Sequence, residues 1–165
     1  MTNVDRLAQL SKRLAPRLLA YFVRRVEPRE DAADLLAQTL TVAWRRLRTL
    51  PDDPAEADAW TFTIASNVLS NHRRSAVRRD RLALKLRDEM RRPDDEFETV
   101  DLRTDVEAAL SQLPDDQSEL VRLVYWDGLS ATAAGTVLGM PGSTARLRLS
   151  AARTALAATL GIPVA

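Results

Sequence analysis

The sequence predicts an all-α fold of two small helical domains joined by an acidic linker, and three observations support this prediction. Alanine, leucine and arginine, which form helices readily, dominate the composition. Apolar residues recur at three- and four-residue steps, which is the period of an amphipathic helix. Prolines and glycines separate these segments. With 45% hydrophobic and 28% charged residues, the 165-residue chain has a globular composition.

The first domain is predicted to span residues 1–92 and to begin with two helices. The first covers residues 4–26, where leucines share one face, and Pro16 either kinks this helix or starts a second one. Pro28 opens the next helix, whose predicted apolar face includes Trp44. Both helices are expected to turn these apolar faces toward the core of the domain.

A loop and a long helix complete this domain. Residues 50–54 (LPDDP) break the helical pattern with two prolines and two aspartates. The long helix follows from about Glu56, with Trp60 and Val68 on its predicted buried stripe. It runs into a basic block, residues 72–92, which holds nine lysines and arginines against three acids. Such a block can neutralise phosphates.

An acidic linker is predicted at residues 93–104, because Pro93 is followed by a run of acids. Residues 93–119 contain ten acids against one arginine. The second domain is predicted over residues 105–165. Its expected helices cover residues 105–113, 115–126, 131–138 and 142–160, with caps at Thr104 and Ser130 and turns at Gly128 and Gly139.

The composition excludes several kinds of site. The chain has no cysteine and a single histidine, His72, so disulfides, thiolate metal sites and histidine clusters for metals are not expected. No Gly-rich phosphate loop, nucleophile elbow or paired-carboxylate motif is present, so we predict no cofactor and no catalytic residue, and a hydrolase that uses His72 is the least favoured function. Residues 1–10 do not resemble a signal peptide and no apolar run could span a bilayer, so a soluble cytoplasmic protein is expected.

Two groups of residues indicate contact with nucleic acid. In the second domain, a helix capped by Ser130, a turn and a longer arginine-bearing helix predict a helix-turn-helix, although an ordinary helical hairpin with solvated arginines fits the pattern equally well. In the first domain, a polar helix face includes Asn67, Asn71 and Arg74, which can form paired hydrogen bonds to bases or phosphates. Trp60 lies one turn earlier and is expected to be a core residue, or alternatively to stack on an unpaired base.

The order of these motifs resembles the extracytoplasmic-function group of the sigma-70 family of RNA polymerase sigma factors. APRLLAY (residues 15–21) resembles the opening helix of sigma domain 2, and DAADLLAQTLTVAW (residues 31–44) resembles its polymerase-binding helix. AWTFTIASNVLSNHRR (residues 59–74) resembles the helix that reads and opens the −10 promoter element. The motifs similar to sigma domain 4 are LP (113–114), WDGLS (126–130), VLG (137–139) and the helix 144–153.

The resemblance implies a role for particular residues in the first domain. Contacts with the clamp helices of the largest polymerase subunit would come from Asp31, Asp34, Gln38 and Thr39. A flipped base of the −10 element would be held by Pro51, Asp52 and Asp53 of the loop together with Asn67 and Asn71. Backbone phosphates would be held by Arg45, Arg46, Arg73 and Arg74.

The resemblance also implies roles for the rest of the chain. The −35 element would be contacted by Ser143, Thr144, Arg146, Arg148 and Arg153. The acidic linker either threads the nucleic-acid channel of the polymerase, where carboxylates mimic RNA, or is simply solvated. Core RNA polymerase, promoter DNA and an anti-sigma protein are the implied partners, and no chemistry of the protein's own is implied.

The chain departs from the family pattern in its last two helices. Residues 131–134 (ATAA) lack the glutamates that usually follow the serine cap, and Gly135 should cost that helix about 1 kcal/mol relative to alanine. Leu147, Ser150 and Ala151 stand where the last helix often carries cations. Fewer cations mean fewer phosphate contacts, so the first domain is expected to supply more of the affinity. A stand-alone helix-turn-helix regulator that binds operator DNA without polymerase is the alternative function.

Overall fold

The computed structural model describes residues 1–89 and 104–163, and every regular element within these ranges is a helix, which confirms the all-α prediction. The linker predicted at residues 93–104 lies outside the described residues except for Thr104. The elements are α1 (Asn3–Val23), α2 (Asp31–Arg45), a 3-10 turn (Leu47–Thr49), α3 (Pro54–Glu89), α4 (Asp105–Ser111), α5 (Asp115–Val121) continued by a π-helical turn (Arg122–Trp126), α6 (Ala131–Leu138) and α7 (Gly142–Leu160). None of the described helices combines the length and apolarity that a membrane crossing requires.

The helices α1, α2 and the first half of α3 form one unit around a shared apolar core. Leucines of α1 that recur at three- and four-residue steps are buried, as the sequence predicts. Tyr21 and Phe62 are almost fully buried and meet edge to face, with ring centroids 5.6 Å apart. Pro16 leaves α1 continuous, so no second helix starts there.

Three features of this unit differ from the sequence prediction. Helix α2 begins at Asp31 rather than at Pro28, because residues 28–30 form a bend and a turn before it. Helix α3 begins at Pro54, because the Asp53 carboxylate accepts a hydrogen bond from the Glu56 amide at 3.0 Å and Pro54 needs no partner at the first helical position. The prediction that Trp44 faces the core is wrong, since 56% of this residue is exposed. Ala43 takes the buried position on α2, and the helical rotation turns the next side chain outward.

The helices α4 to α7 form the second unit, in which α6 and α7 make the predicted helix-turn-helix. The Ser130 hydroxyl accepts a hydrogen bond from the Ala133 amide at 3.1 Å, and Gly139 turns the chain with a φ of 72°. The structure also explains Gly135. A Cβ at this position would lie 2.8 Å from the Cβ of Ala145, so α6 and α7 cross too closely there for any side chain.

A buried ion cluster and a helix contact join the two units. Helix α6 packs on α3. The side chain of Asp127, in the turn before α6, is fully buried, and its Oδ2 accepts a hydrogen bond from Arg25, in the turn after α1, at 2.8 Å. Arg25 also donates to Glu119 at 3.0 Å, while Arg17 donates to the Asp127 carbonyl at 2.8 Å. We call these four residues, with Arg24, the Asp127 cluster.

Charge and burial compete within the Asp127 cluster. Burial raises the pKa of the Asp127 carboxyl above its ordinary value, and attraction to Arg25 opposes this rise without cancelling it. Arg24 lies farther away, with its Nη1 3.5 Å from Oδ1 of Asp127. The contact between the units therefore depends on cations in and just after α1 that keep a desolvated carboxylate charged.

Candidate nucleic-acid interface

The loop between α2 and α3 is held against α1 by one arginine. Arg6 donates to Oδ1 of Asp52 at 2.9 Å and also to the carbonyl of Pro51. The Asp52 side chain is otherwise open to solvent, whereas Asp53 is engaged as the cap of α3. Of the three loop residues predicted to hold a base, Asp52 and Pro51 are thus positioned by Arg6, and Asp53 shapes the helix start.

The polar face of α3 presents the predicted amide and arginine side chains to solvent. Asn67, Asn71 and Arg74 are exposed and lie four and three residues apart, so they follow one another along one side of the helix. The Oδ1 atom of Asn71 accepts a hydrogen bond from Arg74. This contact orders the two side chains, and the amide nitrogen of Asn71 keeps its donors for another partner.

The arginines predicted to hold phosphates occupy three places. Arg45 and Arg46 are exposed at the end of α2, and Arg74 is exposed on α3. Arg73 instead lines a cleft of about 600 Å³ between the two units, which it shares with Arg24, Arg122 and the acids Glu107 and Glu119. The cleft mixes both signs of charge, so Arg73 is the member of this set that faces acidic side chains.

The residues of α2 predicted to contact polymerase divide into exposed and buried ones. Asp34 and Gln38 are exposed, and Asp31 lies 3.6 Å from Nε2 of His72 on α3. Thr39 is fully buried and donates its hydroxyl to the Leu35 carbonyl at 2.8 Å. The structure therefore places Thr39 inside the unit, where its side chain cannot meet a partner.

An apolar groove beside these residues was missed by the sequence analysis. Trp44 and Leu40 of α2 line it together with Leu7 of α1, and it encloses about 340 Å³. Periodicity alone assigned Trp44 to the core, because the stripe of apolar positions on α2 is wider than the face that α1 covers. Ala43 and Trp44 are adjacent on α2, so both cannot face the core, and this adjacency is the feature of the sequence that could have indicated an exposed Trp44.

The −35 residues predicted on α7 are mostly exposed but not all free. Ser143, Arg146, Arg148 and Arg153 are exposed, and Thr144 is half-buried. Arg146 donates to the Thr132 hydroxyl of α6 at 3.1 Å, and Arg148 forms an ion pair with Asp116 of α5. These contacts brace α7 and partly neutralise its few cations.

Helix α6 lies close to the loop that precedes α3. A cleft of about 620 Å³, lined mainly by apolar atoms, separates Pro51, Trp60 and Thr63 of the first unit from Thr132 and Thr136 of α6. Trp60 is half-buried on this cleft. Consequently, the predicted base-holding loop and the helix-turn-helix face each other across this cleft. Among the described residues, no group of histidines and acids is arranged to hold a metal ion.

Two known families match the chain, one over each of the two units. Residues 10–79 match the family described as Sigma-70 region 2, and residues 103–156 match Sigma-70, region 4. The chain is 31% identical over 147 residues to the ECF RNA polymerase sigma factor SigL of Mycobacterium tuberculosis, an alignment that covers 87% of this chain and 82% of the relative. It is 33% identical over 145 residues to the ECF RNA polymerase sigma factor SigF of Caulobacter vibrioides, with 87% and 79% covered.

Two solved structures are similar over almost the whole chain. One is CnrH in complex with the cytosolic domain of CnrY, with a TM-score of 0.63, 26% identity, and coverage of 94% of this chain and 87% of that one. The other is the sigma factor RpoE in complex with the anti-sigma factor NepR from Bartonella quintana, with a TM-score of 0.58, 25% identity and 97% of both chains covered.

Proposed function

The chain belongs to the extracytoplasmic-function group of the sigma-70 family of RNA polymerase sigma factors, and we propose which of its surfaces bind polymerase, the −10 element and the −35 element. As a sigma factor it binds core RNA polymerase and directs it to promoters. We place sigma domain 2 at residues 1–92, a linker at 93–104 and sigma domain 4 at 105–165. We propose that the protein acts in the cytoplasm, as a binding subunit with no catalytic residue.

The exposed face of α2 is the proposed site for the clamp helices of the largest polymerase subunit. Asp34 and Gln38 offer polar groups there, and Asp31 lies at the N-terminal edge of the same helix. Trp44 adds an exposed aromatic surface, which is a frequent anchor in protein interfaces. Thr39 takes no direct part in this proposal because it is buried.

The −10 element is proposed to bind the loop and the polar face of α3. Asn67 can donate to and accept from the edge of a flipped base, and Asn71 keeps its amide donors for one. Asp52 is exposed in the loop before α3, about 20 Å from Asn67 along the helix axis at 1.5 Å per residue. Arg45, Arg46 and Arg74 are exposed and suited to backbone phosphates. Unstacking a base costs a few kcal/mol, which contacts with the protein must offset. Because Arg6 already holds the loop in place, less conformational entropy of the loop is lost when the base binds.

The −35 element is proposed to receive α7 in its major groove. Ser143 and Thr144 stand at the first turn, where backbone amides and the helix dipole favour a phosphate. Arg146 and Arg153 lie seven residues apart on one side of the helix and reach toward DNA once Arg146 leaves Thr132. With few cations on α7, we expect this contact to position the protein more than to hold it.

The observation that carries the proposed mechanism is the cleft between α6 and the −10 loop. A nucleotide seated on Pro51 and Trp60 would face Thr132 across this cleft, and we propose that the two units separate before both promoter elements are bound. We propose that the described conformation is the closed form of the free subunit, and that polymerase binding selects an open form. Both similar solved structures hold a partner protein, so we also propose that an anti-sigma protein binds this chain.

A pull-down with core RNA polymerase tests the proposed polymerase surface. Asp34→Arg is expected to weaken capture by core at least tenfold, because it reverses an exposed charge in the first turn of α2, among the residues proposed to contact polymerase. Asp88→Arg, an equal charge change on an exposed acid of α3, is the matched control and should bind like the parent. Equal capture of both variants would remove α2 from the interface. The alternative, a stand-alone regulator, predicts specific binding to duplex DNA in a gel shift without polymerase.

A further inference from the structure

Helix α3 continues well past the first unit as a solvated extension. Residues 77–88, which we call the arm, are exposed at every position, whereas the first half of the helix buries Phe62, Ala65 and Leu69. The arm contains no glycine or proline, and its residues are mostly good helix formers. A helix of this kind is a semi-rigid extension of the unit that carries it.

The cations of the arm continue the polar face of α3 in register. Positions separated by alternating steps of four and three residues fall on one side of a helix. Such a stripe begins with the two asparagines proposed to read the −10 element, continues with four cations and ends at one acid. Its members are Asn67, Asn71, Arg74, Arg78, Arg81, Lys85 and Asp88.

The other side chains of the arm are distributed around this stripe. Asp80 falls on the opposite side of the helix, as does Arg87, and Arg79 is also off the stripe. The exposed apolar residues Val77 and Leu82 flank it on its two sides. The one acid on the stripe, Asp88, lies at its C-terminal end, so the four cations at 74–85 concentrate positive charge on the side that bears Asn71.

The length and charge of the stripe fit a DNA backbone. From Arg78 to Lys85 the helix rises by about 10 Å at 1.5 Å per residue. One strand of B-DNA advances along the duplex axis by roughly 3.4 Å per phosphate, so this rise corresponds to about three phosphates. Arginine is well suited to phosphate because its guanidinium makes paired hydrogen bonds.

We propose that Arg78, Arg81 and Lys85 bind the phosphate backbone of double-stranded promoter DNA immediately upstream of the −10 element. This inference rests on the proposed role of Asn67 and Asn71 in −10 recognition. The base-holding loop lies at the N-terminal end of α3, so melted DNA belongs at that end. The arm extends from the opposite end and therefore meets DNA that remains paired.

The arm supplies sequence-independent affinity where the second domain is weak. Two of the cations on α7, Arg146 and Arg148, are engaged with Thr132 and Asp116. The arm adds three cations in a row beside the −10 contact, and contacts to phosphates fix register and orientation without reading sequence. A promoter complex of this protein should thus depend on salt more strongly than α7 alone implies.

The test compares two double variants that remove equal charge from the same arm. Arg78→Gln with Arg81→Gln alters the stripe, and Arg79→Gln with Arg87→Gln alters cations away from it. Each is assembled with core polymerase, and binding to a promoter fragment, chosen by start-site mapping with the parent holoenzyme, is measured from 50 to 300 mM salt. Each lost phosphate contact should make the negative slope of log K against log salt shallower by about 0.9 and weaken binding by roughly fivefold at 0.15 M.

The stripe variant is expected to bind promoter roughly tenfold or more weakly, with a salt slope shallower by about 1.8. It should also lose hydroxyl-radical protection of the backbone just upstream of the −10 element, while its affinity for core polymerase stays the same. The control variant should keep both the slope and the protection. Equal behaviour of the two variants, or a stripe variant that loses core polymerase instead of DNA, overturns the proposal. Failure of the parent protein to initiate with core would instead refute the proposed function.

Discussion

The replacement Arg25→Met tests whether the Asp127 cluster holds the two domains together. Only 3% of the Arg25 side chain is exposed, and it donates to both Asp127 and Glu119. Methionine keeps the apolar body that lies over the Tyr21 ring, where the guanidinium carbon sits 4.0 Å from the centroid, and removes the charge. The buried Asp127 carboxylate then keeps only Arg24, 3.5 Å away and partly exposed, as a charged partner at its side chain.

The magnitude follows from breaking one side of a buried ion pair. Such a loss costs about 3–5 kcal/mol when it leaves a buried charge unpaired. We take about 3 kcal/mol here, because Arg24 remains, which shifts the ratio of closed to open forms by more than a hundredfold. Exchanging both partners, Arg25→Met with Asp127→Leu, should restore much of the closed form, since no buried charge is left.

The assay is fluorescence energy transfer between the two domains. The chain has no cysteine, so Ser75→Cys and Ser150→Cys, both at exposed positions, give a unique label pair. The matched control is Arg148→Met, which breaks a pair of half-exposed side chains and should cost at most about 1 kcal/mol without opening the protein.

The pH dependence of the equilibrium between closed and open forms tests the Asp127 cluster independently. Burial raises the pKa of Asp127 in the closed form, so the closed form binds a proton more tightly than the open form. This group therefore favours closure below its ordinary pKa, and that contribution is lost as the pH rises through the raised value. Without Arg25 the pKa should rise further, so the variant should open at neutral pH and close again in acid. If the fluorescence energy transfer between the two labels is unchanged by Arg25→Met at neutral pH, the Asp127 cluster does not hold the domains together.

Three further predictions concern other parts of the molecule. Gly135→Ala should destabilise the second domain by about 1–3 kcal/mol despite its better helix propensity, because the added Cβ would lie 2.8 Å from that of Ala145; thermal unfolding measures this, and a stabilised variant would contradict it. Burial raises the pKa of Tyr21 from 10.0 to about 12, so about 2–3 kcal/mol of stability should disappear as the pH rises from 10 to 12, and unfolding of Tyr21→Phe should lack this loss. Asn71→Ala should slow promoter opening by roughly ten- to a hundredfold, as judged by permanganate reactivity of the −10 bases, with core binding unchanged; unaltered opening would exclude Asn71 from the base pocket.

Much of the helical architecture could be predicted from the sequence because local signals agree with tertiary packing. The Ser130 cap, the turn at Gly139 and the end of the last helix at Leu160 all occur where the sequence places them. Each depends on the residue and its immediate neighbours. The Thr104 cap is also present, since its hydroxyl accepts a hydrogen bond from the Glu107 amide at 3.3 Å, while the Glu107 side chain pairs with Arg122.

Features that depend on distant parts of the chain could not be predicted in this way. The outward position of Trp44 depends on how much of α2 is covered by α1, which periodicity does not report. The burial of Thr39 likewise reflects packing, since its hydroxyl finds a partner in the Leu35 carbonyl one turn earlier. The Asp127 cluster joins residues about a hundred positions apart, and no local pattern marks such a pairing.

The candidate sites were only partly accessible from sequence for a similar reason. The resemblance supplied residue roles, and the structure shows which side chains are available for them. Asp34 and Asn71 are exposed, whereas Arg148 is paired with Asp116 within its own domain. The gap between α6 and the −10 loop appears only in three dimensions, because it depends on how two separately encoded units are docked.

In vitro transcription with core RNA polymerase, followed by mapping of start sites on a genomic library, tests the central claim most directly. A sigma factor of this group predicts that core polymerase starts at a discrete set of promoters only when this protein is added, and that the protein alone binds those duplexes poorly. Specific, high-affinity binding of the protein alone to those DNA fragments, with no start sites that depend on it, would contradict the account and favour a stand-alone regulator.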